Sequence, residues 1–348
     1  MTTEISNVLA RRTVLMALGL AAVLILAIAC SSENSGSSDD GGELIIYSGR
    51  SESLIAPLIE KFEAATGIDA KVNYAGTGAL AATLLEEGDR SPADVFFAQD
   101  PGGLGSIIEL VKPLSDDLIG RVPDWARSPD NLWVGISGRA RTVVYNTDAL
   151  SPEDLPDTLE GFTDPEWKGR IGWAPTNGSF QAMVTGMRLI WGEERTRDWL
   201  EGIVANDPQV YAKNTPTVAA TGSGEVEVGF VNHYYLHRFL AEEGDGFAAR
   251  NYFLPGGGPG SAVLVTGAAI LKTADNATQA ERFLDYLLSA EAQSYFAEET
   301  YEYPLIDGIE RAELLPELAS LNTPDIDVSD LGDSAATQNL LREVGALP

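Results

Sequence analysis

Cysteine, histidine and positive charge are all scarce in this chain. One cysteine and two histidines occur in 348 residues. A lone thiol cannot form an internal disulfide, so the fold must hold through its core. His233 and His237 lie four apart in one segment. On a helix that spacing could seat zinc, but no carboxylate stands nearby at the usual spacing, and the pair reads as two solvent-facing side chains. So few histidines also leave little for a nucleophile and base, and Gly222-Ser223-Gly224 lacks the residues of a nucleophile elbow. Gly256-Gly257-Gly258-Pro259-Gly260 has no Lys-Ser/Thr pair after it, which excludes a nucleotide loop and leaves a turn. Lys and Arg total 23 against 52 Asp and Glu, a formal charge of −29. That balance argues against nucleic acid, whose binding depends on basic residues neutralising phosphates. The acidic surplus itself reads as solubility or a salty habitat.

An uncharged, mainly apolar run extends from Thr13 to Ala29, preceded by Arg11-Arg12 and followed by Cys30. Basic residues, an apolar stretch and small residues before a cysteine make a secretory signal. The run is shorter than the roughly 20 residues a bilayer crossing needs. Ala27-Ile28-Ala29-Cys30 resembles the lipobox of bacterial lipoproteins, with Leu26 one place early. That likeness implies cleavage before Cys30 and acylation of its thiol. Arg11-Arg12-Thr13-Val14-Leu15 also resembles a twin-arginine export signal. Removing the leader leaves 51 acidic against 21 basic residues. Residues 31–42 carry no apolar side chain and predict a flexible tether.

The folded region is expected to begin near Glu43. Leu44 to Tyr47 is an apolar run ending at Ser48-Gly49, as in a buried strand entering a turn. Leu54, Ile55, Leu58, Ile59 and Phe62 recur at helical spacing, with Gly67 placed to end the helix. A strand over Ile68 to Tyr74, a helix through Leu80 and Leu84 stopped at Gly88, and a strand over Ala93 to Ala98 follow. This alternation predicts a parallel α/β sheet. Ligands collect beyond the carboxyl ends of such strands. Those ends are Ser48-Gly49-Arg50-Ser51, Gly76-Thr77-Gly78 and Gln99-Asp100-Pro101-Gly102-Gly103.

A second α/β set follows, with strands over Trp133–Ser137, Thr142–Asn146, Gly169–Trp173 and Glu227–Val231. Helices are expected over Ser179–Trp191 and Arg195–Ile203. Later, a strand over Ala262–Leu271 and a helix over Ala277–Ser289 would complete the first lobe. The division is thus a signal at 1–29, a tether at 30–42, and one lobe from 43–100 and about 264–309. The other lobe takes mainly 101–263 and 310–348. Insertion of one lobe into the other predicts crossing strands and a hinged cleft.

Taken in order, several short pieces resemble the bacterial ferric ion-binding proteins, substrate receptors of iron ABC importers within the type II periplasmic binding proteins. They are Tyr47-Ser48-Gly49-Arg50, Glu86-Glu87-Gly88-Asp89, Pro92-Ala93-Asp94-Val95-Phe96, Ser137-Gly138-Arg139-Ala140-Arg141 and Val144-Tyr145-Asn146. Trp167-Lys168-Gly169, Tyr211-Ala212-Lys213-Asn214, Asn232-His233-Tyr234-Tyr235 and Tyr303-Pro304-Leu305 continue the series. The likeness spans about Leu44 to Pro304. It implies a two-lobed α/β receptor with an interlobe cleft, tethered outside the cytoplasm, handing a small inorganic ligand to an importer's permease without catalysing a reaction.

The resemblance further implies that Tyr234 and Tyr235 supply phenolate oxygens to Fe³⁺, a hard cation that prefers oxygen donors. It places a synergistic phosphate or carbonate at Asn177 and Gly178, ahead of a helix start, with Asn214 and Asn232 completing the set. Structural roles stand beside these: one tyrosine in the core and the other at a helix cap, and the two asparagines as turn or cap residues. The chain also departs from the pattern. Ser51 stands where many relatives offer a histidine, Gly78 where they offer a glutamate, and Phe180 where some offer a third tyrosine. The remaining coordination positions then fall to the anion and water, or the ligand is not iron. A receptor of the same fold for an oxyanion, phosphonate or small organic ion remains open, and an extracellular hydrolase is the reading from another class.

Overall fold

The computed structural model describes residues 42–324, 326 and 328–348. The expected signal, Cys30 and the tether up to residue 41 lie outside them. Strand β1 (Glu43–Ser48), helix α1 (Glu52–Thr66), β2 (Asp69–Tyr74), α2 (Thr77–Glu87) and β3 (Val95–Ala98) follow the predicted alternation. In α1 the stripe Leu54, Ile55, Leu58, Ile59 and Phe62 is buried, and Gly67 ends the helix at φ 72°, its N–H bonded to the Glu63 carbonyl. Only glycine takes that left-handed conformation without a Cβ penalty. Both β2 and β3 run parallel to β1, so their carboxyl ends emerge on one side.

The chain continues through α3 (Pro101–Ser106), α4 (Asp116–Ile119), β4 (Val134–Asn146), β5 (Ile171–Trp173), α5 (Gly178–Trp191), α6 (Glu193–Ala205) and β6 (Gln209–Val210). Next come α7 (Asn214–Gly222), β7 (Val228–Asn232), α8 (Tyr234–Glu243), β8 (Ala249–Tyr252) and β9 (Val263–Ile270). The last are α9 (Ala277–Leu287), α10 (Ala290–Glu298), β10 (Tyr303–Pro304) and α11 (Ser334–Glu343). The strand order is β2-β1-β3-β9-β4-β7-β5-β6, with β8 and β10 also paired to β4.

The two strands expected over 133–137 and 142–146 are one. Strand β4 runs 13 residues, every one of them buried. Its Gly138-Arg139-Ala140-Arg141 stretch breaks the apolar run, yet it stays extended because the guanidinium groups find partners inside the protein. Residues up to Ala140 pair with β9, and those from Arg141 pair with β7 and β8. One strand therefore passes from one hydrophobic core to another. The first core gathers β1, β3 and β9 with Phe62, whose ring meets Phe283 edge-on at 5.1 Å. The second gathers Trp167, Trp173, Phe180, Trp199 and Phe230 under α5 and α6. The C-terminal stretch touches both, since Leu331, just before α11, packs in the first core, and Leu340 and Leu341 of α11 pack in the second. At that crossing Gly105 and Gly332 meet backbone to backbone, where a Cβ on Gly105 would lie 2.4 Å from Gly332 Cα. Among the described residues no helix is long and apolar enough to cross a membrane.

Candidate functional site

A cleft of about 900 Å³ opens where the carboxyl ends of β1, β2 and β3 face the start of α5 and the first turn of α8. Each of the three predicted strand-end loops reaches it, through Gly49 to Ser51, Gly76 to Gly78, and Gln99-Asp100. Across the cleft stand Asn177, Gly178, Lys213, Tyr235 and Arg238. Ser51 and Gly78 line it, so their small side chains leave that wall without a nitrogen or carboxylate donor at those two positions. Phe180 points elsewhere, packing edge-on against Trp173 at 5.5 Å in the second core.

Tyr234 and Tyr235 open α8 one residue after the buried strand β7, so that Tyr235 lines the cleft and Tyr234 is buried behind it. Their rings stack with centroids 4.1 Å apart and planes at 28°. Tyr234 is fully buried, and its hydroxyl has no hydrogen-bond partner. Burial lifts the Tyr234 phenol well above its ordinary pKa of 10.0, Tyr235 adds to the rise, and the Arg50 guanidinium opposes it. An unpartnered buried hydroxyl costs about 1–3 kcal/mol, a penalty that a bound electrophile would remove.

In the sequence Arg50, Arg139 and Arg141 stand only as pieces of a pattern, yet all three are fully buried and interact electrostatically with the tyrosines. Arg50 pairs with buried Glu302 and sits 5.9 Å from the centre of the Tyr234 ring. The other Glu302 oxygen accepts from the Ser137 hydroxyl. Arg139 donates to the Gln99 carbonyl, to the Val265 carbonyl at 3.1 Å and to Ser179 Oγ at 3.1 Å. Arg141 donates to Asn232 Oδ1 at 2.9 Å, while its Nε and Nη2 have no partner. Burial, reinforced by the neighbouring charge of Arg139, pushes Arg141 down to about 9. Glu302, together with Asp100 near Arg139, leaves positive charge in surplus beneath the phenols.

Ser179 joins these groups. Its Oγ lies 3.1 Å from Arg139 Nη1, from Asn232 Nδ2 and from Gln99 Nε2. A serine just inside a helix start reads in sequence as a local cap, which hid this role. Asn177 is the cap, its Oδ1 accepting from Ser179 N–H at 3.0 Å. Of the residues singled out in the sequence, Asn177, Gly178 and Tyr235 therefore share the cleft, and Asn232 is tied to α5 through Ser179. Asn214 is fully buried at the start of α7, between the cleft-lining Lys213 and Thr215, and neither of its amide atoms has a partner.

His233 is not solvent-facing, contrary to the sequence reading, and His237 is only partly exposed. His233 is fully buried, accepting from Ala140 N–H at 3.1 Å on Nδ1 and donating to the Tyr301 carbonyl at 2.8 Å from Nε2. Burial pushes it down to about 4, so the ring is neutral. His237 is pushed to about 3 by burial and by His233. Both rings pack under the segment carrying Tyr301 and Tyr303, which distant sequence could not reveal. Among the described residues no group of three His, Cys, Asp or Glu side chains could hold a metal.

The model of bacterial extracellular solute-binding proteins matches residues 92–330. The chain is 33% identical to the major ferric iron-binding protein of Neisseria meningitidis over 311 residues, which covers 87% of this chain and 93% of that protein. Iron-bound HitA from Pseudomonas aeruginosa superposes with a TM-score of 0.84 at 31% identity, over 87% of this chain and 99% of that one. A Trichodesmium protein described in complex with iron and citrate superposes at 0.73 with 29% identity, over 87% and 99%.

Proposed function

The chain belongs to the bacterial extracellular solute-binding proteins, and we propose that it captures Fe³⁺ with an oxyanion and delivers it to an ABC importer, by binding and release rather than catalysis. The observation that carries this reading is the stacked Tyr234–Tyr235 pair with one unpartnered hydroxyl, set over buried arginines. Two phenolates are hard oxygen donors for a trivalent cation. Their negative charge would also neutralise the guanidinium surplus, so metal and protein charge favour the same protonation state. With Ser51 and Gly78 supplying no nitrogen or carboxylate, the open coordination positions go to an anion and water. We place that anion at Asn177, Gly178, Asn214 and Asn232, with phosphate or carbonate as its chemistry.

Tyr234 enters the reaction as a neutral phenol at pH 6–8, since its proton affinity is raised. Binding must then expel that proton, and the apparent ferric affinity should rise about tenfold per pH unit for that group alone. A competition titration against a chelator, corrected for the chelator's own protonation, measures the slope. A pH-independent affinity would exclude phenolate ligation by Tyr234.

Closure of the cleft is proposed to be a hinge movement of two preformed lobes, divided as the sequence suggests. The mature chain is proposed to sit outside the cytoplasm on a lipid carried by Cys30. Cys30→Ser should move the protein from the membrane fraction to the soluble one, and unchanged membrane retention would remove the anchor from the account.

A further inference from the structure

Around the start of α5 the groups without partners are mostly donors. Gly178 presents a first-turn N–H, and Arg141 presents Nε and Nη2. Asp100 is different. It caps α3, its Oδ1 accepting from Gly103 N–H at 3.2 Å, and the residue is 4% exposed. Its Oδ2 is buried, has no partner and presses against Gly178, where a Cβ would lie 2.3 Å from that oxygen. Glycine at 178 is what lets the carboxylate reach the helix start. Asp100 also lines the cleft beside Asn177.

We propose that Asp100 is a specificity residue whose Oδ2 accepts a hydrogen bond from a protonated oxygen of the anion, so that hydrogen phosphate or hydrogencarbonate is preferred over a fully deprotonated oxyanion such as sulfate. This rests on the anion site proposed above. An ionised carboxylate only accepts, and among donors at a helix start it can be satisfied only by a ligand that carries its own O–H. Sulfate at neutral pH has none, so it would set oxygen against oxygen while leaving a buried lone pair unmet. Asn214 can turn its amide to either role, but a carboxylate cannot. Burial pushes the Asp100 carboxyl up, against the pull of Arg139 and the Gly103 and Gly102 N–H groups. Arg139 and those N–H groups favour the ionised form on which the preference rests.

The test uses protein freed of anions by dialysis, with iron supplied as ferrous chloride oxidised by dioxygen. Growth of the visible tyrosinate–iron band is followed against phosphate, arsenate and sulfate. Hydrogen phosphate and hydrogen arsenate, which share the O–H, should act alike. Sulfate should need a concentration at least about tenfold higher. Asp100→Asn, whose amide can donate, should bring sulfate to within about threefold of phosphate. Sulfate as effective as phosphate in the parent protein overturns the proposal, as does unchanged discrimination in a folded Asp100→Asn. Should circular dichroism show that variant unfolded, the parent series alone decides. Equal iron loading with no anion added would overturn the anion site itself along with the role of Asp100.

Discussion

Replacing both Tyr234 and Tyr235 by phenylalanine is expected to abolish ferric binding and the visible band while leaving the protein folded. The rings stay, so the stacked pair keeps its volume and its place against the first core. What disappears is oxygen. Tyr234 loses a buried hydroxyl that has no partner in the protein, so its removal relieves a desolvation penalty instead of breaking a bond. The double variant should therefore melt at or above the parent temperature. That combination separates a ligand role from a structural one, because a tyrosine kept for packing would tolerate the change without any effect on iron. Affinity should drop by at least about a thousandfold, since two of the proposed donors go and no cluster of His, Cys, Asp or Glu among the described residues could replace them. Binding of Fe³⁺ at parental strength would return the pair to a packing role.

The second large effect is expected at Glu302, which no sequence pattern singled out. Its carboxylate is fully buried, pairs with Arg50 and accepts from Ser137 Oγ. Glu302→Gln keeps the shape but leaves Arg50 uncompensated in a region that already holds Arg139 and Arg141. Breaking a buried pair on one side costs about 3–5 kcal/mol. The midpoint of urea unfolding should fall accordingly. Removing this carboxylate also removes one of the charges that raise the Tyr234 pKa. Added phosphate should then stabilise the variant more than the parent, because an anion bound only by the folded state raises stability by mass action. Parental stability in Glu302→Gln would mean that the arginine charge is balanced elsewhere.

These residues also explain what the sequence did and did not disclose. The alternation from β1 to β3 was legible because β1 and β3 are short apolar runs, β2 alternates between them, and α1 shows its buried stripe at helical spacing. The site loops followed from those strand ends. Strand β4 was misread as two because Arg139 and Arg141 interrupt its apolar pattern, and a charged residue inside a strand reads as exposed. Both are buried only because Gln99, Val265, Ser179 and Asn232, distant in sequence, supply acceptors. The same contacts that hid the strand hold the buried charges that act on the tyrosine pair. Helix α7 was missed since Asn214, Thr215, Pro216 and Thr217 open it with weak helix formers, and its stability comes from packing on β7 instead. His233 looked like a surface residue beside a functional pair until β4 and Tyr301 closed over it. The tyrosine pair itself could be proposed only from a family resemblance, because its value as a ligand set depends on partners that no local spacing encodes.

Resonance Raman spectroscopy of the iron-loaded protein, excited in the visible band, tests the central claim most directly. Coordination by Tyr234 and Tyr235 predicts enhanced phenolate ring and C–O modes that shift when tyrosine is supplied ring-deuterated. An iron-loaded protein whose spectrum lacks phenolate modes would contradict tyrosinate coordination, and with it the proposed ferric site.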